Sequence, residues 1–399
     1  MSFERWSVGL LVMALMSAWA APAHSVGKPD DVVGPTDEVG DHAASAEPKA
    51  PSLRLGGYIQ PGFVYQVDTP FNEDDHDGFE FANARLTGEG EQLIGEELVI
   101  GLTFGFDVAT GSFDAKDVYG SVGLKSRLLT LDVGQMKQPF GLALMQSEAQ
   151  LQLSSPAVTR DLAFGRDQGA RLRSEIELDP LFIGLGVMFA NGEGGFRARR
   201  NLDDEFTFTA RAEVGLGRPS SSEADLDDSP LELTLGGSLG HTPSLGKGFG
   251  IDDVGLAETR YGVDARGRYR GLSARVELIA GSRAARDGEA SEVTRRALLA
   301  QLGYVLPLPL VRPKLEPVAR LSFIDLNRQR TGFEAGDPLV DLTETRRIEL
   351  GVNVYLEGHR AKLQLAYRLV DLLEGPRTDS QGNPLIGDSF TVFAQLGWL

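Results

Sequence analysis

From Ser52 onward, apolar and polar residues alternate along a series of segments of roughly ten residues. Residues 205–216 read EFTFTARAEVGL: every second residue is Phe, Ala, Val or Leu, and the others are Glu, Thr, Arg or Gly. Residues 230–239 and 260–270 repeat this pattern. A period of two places alternate side chains on opposite faces of a β-strand, whereas an amphipathic helix has a period of 3.6. The alternation therefore predicts β-strands.

The spacing of these segments predicts a closed barrel. With the three above, the count reaches about sixteen, the others centring near residues 59, 85, 102, 120, 131, 170, 185, 276, 301, 320, 350, 364 and 393. Tight turns such as Asp179-Pro180 and Arg270-Gly271 alternate with longer polar loops such as 138–164. Outer-membrane barrels combine strands of this length with short periplasmic turns and long outer loops. The fold class is predicted as all-β, a transmembrane antiparallel β-barrel of about 16 strands.

One connection departs from this rhythm. Residues 217–229, GRPSSSEADLDDS, occupy a position where a short turn is expected. Either a strand is misplaced there or this turn carries an insertion.

Soluble β-sandwiches and propellers show the same alternation, so the two ends of the chain matter. Residues 1–25 have an apolar core at 8–20 followed by small residues, typical of a cleaved secretory signal peptide; a membrane anchor is the alternative. The final strand, residues 388–399, places Trp398 where barrels carry an interfacial aromatic girdle. Both features favour a barrel in the outer membrane of a Gram-negative bacterium.

Composition completes the domain organisation. Residues 26–51 are acidic and rich in Pro, Gly and Ala, which predicts a disordered leader, and residues 52–399 form the predicted barrel domain. The chain has no Cys, and its five His fall at positions predicted to be leader, loops or turns, without metal-ligand spacing. We therefore expect no catalytic site, no metal, no cofactor and no nucleic-acid partner.

Basic residues at inward-facing positions are the candidate lining of a water-filled pore. Arginine suits phosphate-type anions because its planar fork can donate two hydrogen bonds at once. The densest cluster is Arg266, Arg268, Arg270 and Arg275, the first candidates for an anion path. The complete candidate set is Arg85, Lys125, Lys137, Arg171, Arg173, Arg211, Arg266, Arg268, Arg270, Arg275 and Arg320. Inward carboxylates, including Asp132, Asp264, Glu277 and Glu349, leave charge balancing across strands as the alternative.

Two short motifs resemble those of a known family. GQMKQPFG at 134–141, followed by a long loop and RDQG at 166–169, is similar to segments of the phosphate-selective porin O/P family. The resemblance implies a sixteen-stranded trimeric barrel whose third outer loop, here 138–164, folds inward and narrows the pore. Leu142, Leu144, Met145 and Leu151 would then pack inside the barrel wall; an exposed surface loop is the alternative.

The resemblance implies passive diffusion of small anions such as phosphate. One difference is that Ala82 and Asn83 stand where family members carry consecutive arginines. The net charge is −18, and a negative exterior repels anions, so a weakly selective general porin is an alternative. A plugged structural or adhesin barrel is a third. Expected partners are phosphate-type anions, outer-membrane lipid and lipopolysaccharide, and two further copies in a homotrimer.

Overall fold

The computed structural model describes residues 52–67, 77–192, 194, 201, 204–245, 256–285, 293–308, 313–326, 344–373, 377–378 and 384–398. The chain divides into two units, residues Met1–Glu47 and Pro48–Leu399. The predicted signal peptide at 1–25 and the predicted leader at 26–51 lie outside the described residues.

Sixteen antiparallel strands form a closed barrel in which each strand pairs with its chain neighbours and the first pairs with the last. They are β1 (Ser52–Gln66), β2 (Gly78–Ile94), β3 (Leu98–Asp107), β4 (Asp114–Leu124), β5 (Thr130–Lys137), β6 (Arg166–Leu178), β7 (Leu181–Ala190), β8 (Thr207–Leu216), β9 (Glu232–Leu245), β10 (Leu256–Tyr269), β11 (Leu272–Ala285), β12 (Val293–Tyr304), β13 (Lys314–Asp325), β14 (Thr345–Glu357), β15 (Ala361–Leu372) and β16 (Ser389–Trp398). The predicted fold class and strand count are confirmed. Within the described part of the chain, no helix has the length and apolar character needed to cross a membrane.

The faces of the barrel are reversed relative to a soluble protein. On β9, Leu233 and Leu235 point outward and are exposed, whereas Thr234 and Ser238 point inward and are buried. This arrangement repeats around the barrel, and it excludes the sandwich and propeller alternatives. Exposed aromatic side chains gather near both rims: Tyr65, Phe79, Phe81, Phe189 and Phe206 near one, and Tyr269, Tyr304 and Trp398 near the other. Two such girdles are typical of barrels that sit in a bilayer.

The GQMKQPFG motif ends β5 and begins the β5–β6 loop, residues 138–165. Its two glycines have φ angles of 139° at Gly134 and 70° at Gly141, a region that other residues rarely adopt. A Cβ on Gly134 would also lie 2.4 Å from the carbonyl oxygen of Val118 on the adjacent strand. The loop contains a short helix, α1 (Leu142–Met145), and two 3₁₀ turns, Glu148–Gln150 and Val158–Leu162.

The β5–β6 loop packs on an apolar patch of the otherwise polar inward face. The patch lies on β11, β12 and β13, and the cluster consists of Phe140, Val158 and Leu162 from the loop with Ile279, Ala297 and Ile324 from the strands. Leu142, Leu144 and Leu151 are buried as expected, but Met145 is 36% exposed. The expectation that Met145 is packed away is wrong, because its side chain lines open space described below.

Candidate pore and its charged lining

Most of the predicted pore-lining arginines are paired with carboxylates. Each pair brings together residues from different strands or from a strand and a connection, with N···O distances of 2.5–3.1 Å. The pairs are Arg85 with Asp107 and Glu148, Arg171 and Arg173 with Asp132, Arg211 with Asp264, Arg268 with Glu232, Arg275 with Glu223, and Arg320 with Glu349. The inward positions therefore carry the charge balancing that was the alternative to an uninterrupted arginine path.

The predicted cluster of four arginines divides into different environments. Arg266 lies directly opposite Arg275 in the β10–β11 ladder, an unfavourable juxtaposition of like charges. Arg275 turns to Glu223, whereas the Arg266 guanidinium donates to the carbonyl oxygen of Ser220 at 2.9 Å. Among the described residues, no carboxylate lies within ion-pair distance of Arg266. Arg266 is thus the member of the cluster that lies on the barrel wall without a described carboxylate within ion-pair distance.

Two predicted lining residues are not on the barrel wall. Lys125 is exposed in the turn after β4, and Arg270 has φ 47° in the β10–β11 turn, where its guanidinium stacks on Tyr269. Placing these two residues on the wall was wrong, because the two-residue periodicity of a strand does not continue through a turn. Lys137, the last residue of β5, donates to the carbonyl oxygen of Gln146 at 2.6 Å and so holds the β5–β6 loop.

Glu148 anchors the first half of the β5–β6 loop. Its carboxylate lies 2.7 Å from Arg85 on β2 and also pairs with Arg160 in the same loop. Burial raises the pKa of this carboxyl, but Arg85, Arg160 and Arg166 more than offset that effect and hold the pKa well below its ordinary value of 4.5. Glu148 is therefore charged at neutral pH.

The deepest part of the β5–β6 loop, residues 149–152, contacts strands far from β5 and β6. Buried Lys362 on β15 donates to the carbonyl oxygens of Ala149 and Leu151 at 3.1 and 2.7 Å. Asn353 on β14 donates to the carbonyl oxygen of Gln152 at 2.8 Å. These backbone carbonyls are satisfied by inward-facing side chains, so the loop path is tied to the wall at specific positions.

The irregular connection between β8 and β9 also contacts the barrel interior. We call residues 217–231 the β8–β9 segment; β8 ends before it and β9 begins after it, so it is an insertion and not a misplaced strand. Its Glu223 accepts a hydrogen bond from the backbone N–H of Gln152 at 2.8 Å and pairs with Arg275 at 2.5 Å. The backbone N–H of Glu223 donates to the carbonyl oxygen of Gln150 at 3.3 Å. The segment and the β5–β6 loop therefore meet directly.

The other contacts of the β8–β9 segment lie at the end of the barrel that carries the short turns. The N–H of Gly271 in the β10–β11 turn donates to Asp225 at 2.7 Å. Ser222 Oγ lies 2.8 Å from Nε2 of His359 in the β14–β15 turn. Burial lowers the pKa of His359 to about 3, so this imidazole is neutral at physiological pH. The segment thus crosses this mouth of the barrel from β8 towards β15.

Open space remains on the opposite side of the interior. A cavity of about 430 Å³ lies against β6, β7, β8 and β10, and a second of about 220 Å³ lies against β2 to β6. Met145 and Arg171 line both cavities. The charged residues lining the larger cavity are Arg171, Arg173, Arg211, Arg218 and Arg266 with Glu175 and Glu213. Positive side chains outnumber negative ones in that lining.

Sequence reasoning did not identify Glu148, Arg160, Arg218 or Glu223 as site residues. They lie in connections, where period-two alternation carries no information about direction. The unusual length of 217–229 was the one signal that could have drawn attention to Arg218 and Glu223.

Comparison with known proteins supports the fold. No protein-family model and no curated protein matches the chain. Solved structures of the same fold include an anion-selective porin from Comamonas acidovorans (TM-score 0.54, 11% identity, covering 88% of this chain and 100% of that one). Others are the outer membrane channel DcaP of Acinetobacter baumannii (0.53, 12%, 87% and 97%) and the trimer form of OmpT, an outer membrane protein of Vibrio cholerae (0.55, 12%, 88% and 100%). At identities this low, the structural similarity shows the shared barrel fold alone. The resemblance to the phosphate-selective porin O/P family stays a prediction.

Proposed function

We propose that this chain is an outer-membrane porin that passes small hydrophilic solutes, with a preference for anions. The observation that carries the proposal is the cavity of about 430 Å³ lined by five arginines and two glutamates. Arg266 faces it with a guanidinium that donates to the Ser220 carbonyl oxygen and has no carboxylate within ion-pair distance in the described part of the chain. Rings of charged side chains at close quarters determine selectivity in such pores.

The path we propose runs along β2 to β8. The cavities of about 220 and 430 Å³ share Arg171 and Met145, so a solute leaving one enters the other past these two side chains. The β5–β6 loop occupies the β11–β15 side, where the surroundings of Gln152 and Glu223 leave only about 20 Å³ of space. In this proposal the loop acts as the constriction that the sequence resemblance implies.

The remaining properties follow from the membrane setting. Outward apolar residues and two aromatic girdles support a location in the outer membrane, in contact with lipid and lipopolysaccharide. The similar OmpT structure is a trimer, and we propose a homotrimer here as well. The complex released by mild detergent should accordingly have three times the mass of the chain.

Single-channel conductance of refolded protein in a planar bilayer tests the function. We expect a reversal potential in a KCl gradient that indicates anion preference, and chloride current that falls as phosphate is added. Arg266→Gln should weaken the preference because it removes the unneutralised charge. Arg268→Gln is the matched control, two residues along the same strand but paired with Glu232 at 2.9 Å.

Each outcome of this experiment distinguishes the proposal from one alternative. Equal effects of the two variants would show that Arg266 has no special role in selectivity. Conductance without anion preference would indicate a weakly selective general porin. No conductance would indicate a closed structural or adhesin barrel.

A further inference from the structure

Besides the β5–β6 loop, the β8–β9 segment is a second connection that folds over an end of the barrel, in this case the end with the short turns. In an antiparallel barrel, successive connections alternate between the two ends. The β8–β9 segment therefore shares its end with the short turns at 95–97, 179–180, 270–271 and 358–360, yet it contains fifteen residues between Gly217 and Leu231. Its middle is buried, with Ala224 and Asp225 at 0% and 1% exposure.

The segment offsets the repulsion between two positive charges that the barrel wall places opposite each other. Arg266 and Arg275 face each other across β10 and β11, and the segment supplies an acceptor to each of them. Ser220 offers its carbonyl oxygen to Arg266, and Glu223 offers its carboxylate to Arg275. Two arginines that face each other on the barrel wall are thus suited to binding this segment. Removing Glu223 would leave the buried guanidinium of Arg275 without its charge partner.

The same segment forms part of the open cavity. Arg218, Pro219, Ser220 and Ser221 line the space of about 430 Å³, opposite Arg171 and Arg173. Arg218 adds a guanidinium that lies 2.6 Å from Glu175 on β6. Residues from the wall, the β5–β6 loop and the β8–β9 segment therefore surround one space.

We infer that the β8–β9 segment is a second constriction, at the short-turn end of the barrel, which narrows the solute path and holds the tip of the β5–β6 loop through Glu223. The inference deepens the proposed porin function: small anions would pass first beside the β5–β6 loop and then through the cavity that the segment lines together with β7 and β8. The segment contributes Arg218 to the path. Its contacts with Gln150 and Gln152 fix the position of the segment relative to the β5–β6 loop.

Replacing residues 218–231 by Asn-Gly tests this inference. Leu216 pairs with Leu233, so a two-residue turn can close the β8–β9 hairpin without changing the register. We expect single-channel conductance to rise about twofold or more, because a sixteen-stranded barrel without this obstruction leaves a wider aqueous lumen. Unchanged conductance of the folded variant would overturn the inference. Heat-modifiable migration in gel electrophoresis reports whether the variant has folded.

A single-cysteine variant tests the inference without removing the segment. The chain has no cysteine, so Ser221→Cys introduces the only thiol. A charged methanethiosulfonate reagent added on the short-turn side should attach there and reduce the current, because Ser221 lines the cavity. Lys125→Cys is the matched control, exposed in a turn at the same end but outside the cavity lining. Complete labelling of Ser221→Cys, verified by mass, with no greater loss of current than in Lys125→Cys would overturn the inference.

A third pair of variants examines the contact with the loop. Glu223→Gln keeps the shape of the side chain and removes the charge that pairs with Arg275, so the current should become noisier and larger. Asp227→Asn makes the same charge change at an exposed position of the same segment and should leave the current unchanged. Equal currents in the two variants would contradict the role given to Glu223.

These measurements distinguish the inference from the proposed porin function. If the unaltered barrel is closed and the shortened variant conducts, the segment is an obstruction and the native barrel is not an open porin. If the unaltered barrel conducts and the shortened variant conducts equally, the porin function stands and the second constriction is wrong. Absence of conductance in both proteins overturns both.

Discussion

Gly141 at the end of the GQMKQPFG motif offers a sharp test of how the β5–β6 loop is held. The residue has φ 70°, and a Cβ there would lie 2.9 Å from Glu277 Oε1 and 3.3 Å from the Ile279 side chain. Glu277 in turn accepts hydrogen bonds from the backbone N–H of Ala143 and from the Thr159 hydroxyl. Gly141→Ala therefore strains the backbone and also displaces a carboxylate that binds the loop at two places.

Gly165 at the other end of the loop is the matched control. It has φ 77°, but no atom lies within 4 Å of the position of an added Cβ. Gly165→Ala should lower the free energy of unfolding by about 1–2 kcal/mol, the cost of a left-handed backbone. Gly141→Ala should add the cost of overpacking, about 1–3 kcal/mol, to the same backbone strain.

Urea unfolding of protein refolded into lipid vesicles, followed by tryptophan fluorescence, gives both free energies by linear extrapolation. Conductance in a planar bilayer should change for Gly141→Ala and not for Gly165→Ala, because only Gly141 touches the Glu277 anchor. Equal losses of stability in the two variants would show that Glu277 and Ile279 yield without cost. The account of the loop anchor would then be refuted.

Two further predictions concern the loop anchor at Glu148 and the apolar patch. Glu148→Gln should lower the free energy of unfolding by about 1–3 kcal/mol at pH 7, because it weakens the contacts with Arg85 and Arg160. Since the folded-state pKa of Glu148 lies below its ordinary 4.5, this contribution is complete above that pH and is lost as the pH falls further, so the variant and the parent should converge in acid. Ile279→Ala at a 0% exposed site should cost about 2–5 kcal/mol in urea unfolding. Leu278→Ala, the outward neighbour, should cost less, and equal costs would contradict the packing of the loop on this patch.

The strand pattern was predictable because it depends on neighbouring residues alone. A β-strand places successive side chains on opposite faces, so segments such as 205–216 reveal both the strand and its lipid-facing side. Every predicted segment centre falls within one of the sixteen strands. The GQMKQPFG motif, followed by a long loop, similarly pointed to the place where β5 becomes the β5–β6 loop.

The charge pairs could not be predicted, because they depend on register and on residues far apart in the chain. Arg211 and Asp264 are 53 positions apart, and Arg85 and Glu148 are 63 apart. Alternation indicates that an arginine points inward, but it does not show which carboxylate reaches it or whether a connection folds back to supply one. Arg266 and Arg275 were identical candidates in the sequence, and their contacts with Ser220 and Glu223 made them different.

The sequence by itself therefore determined the strands and their two faces, which follow from a two-residue period, and the barrel, which follows from the number and length of the strands and the alternation of short turns with long loops. Tertiary structure alone decided the shape and charge of the passage. Loops have no such period, and their paths depend on matching an apolar patch around Ile279 and a set of inward polar groups contributed by many strands. The β8–β9 segment shows the division clearly: its length was visible in the sequence, and its position against Arg266 and Arg275 was not.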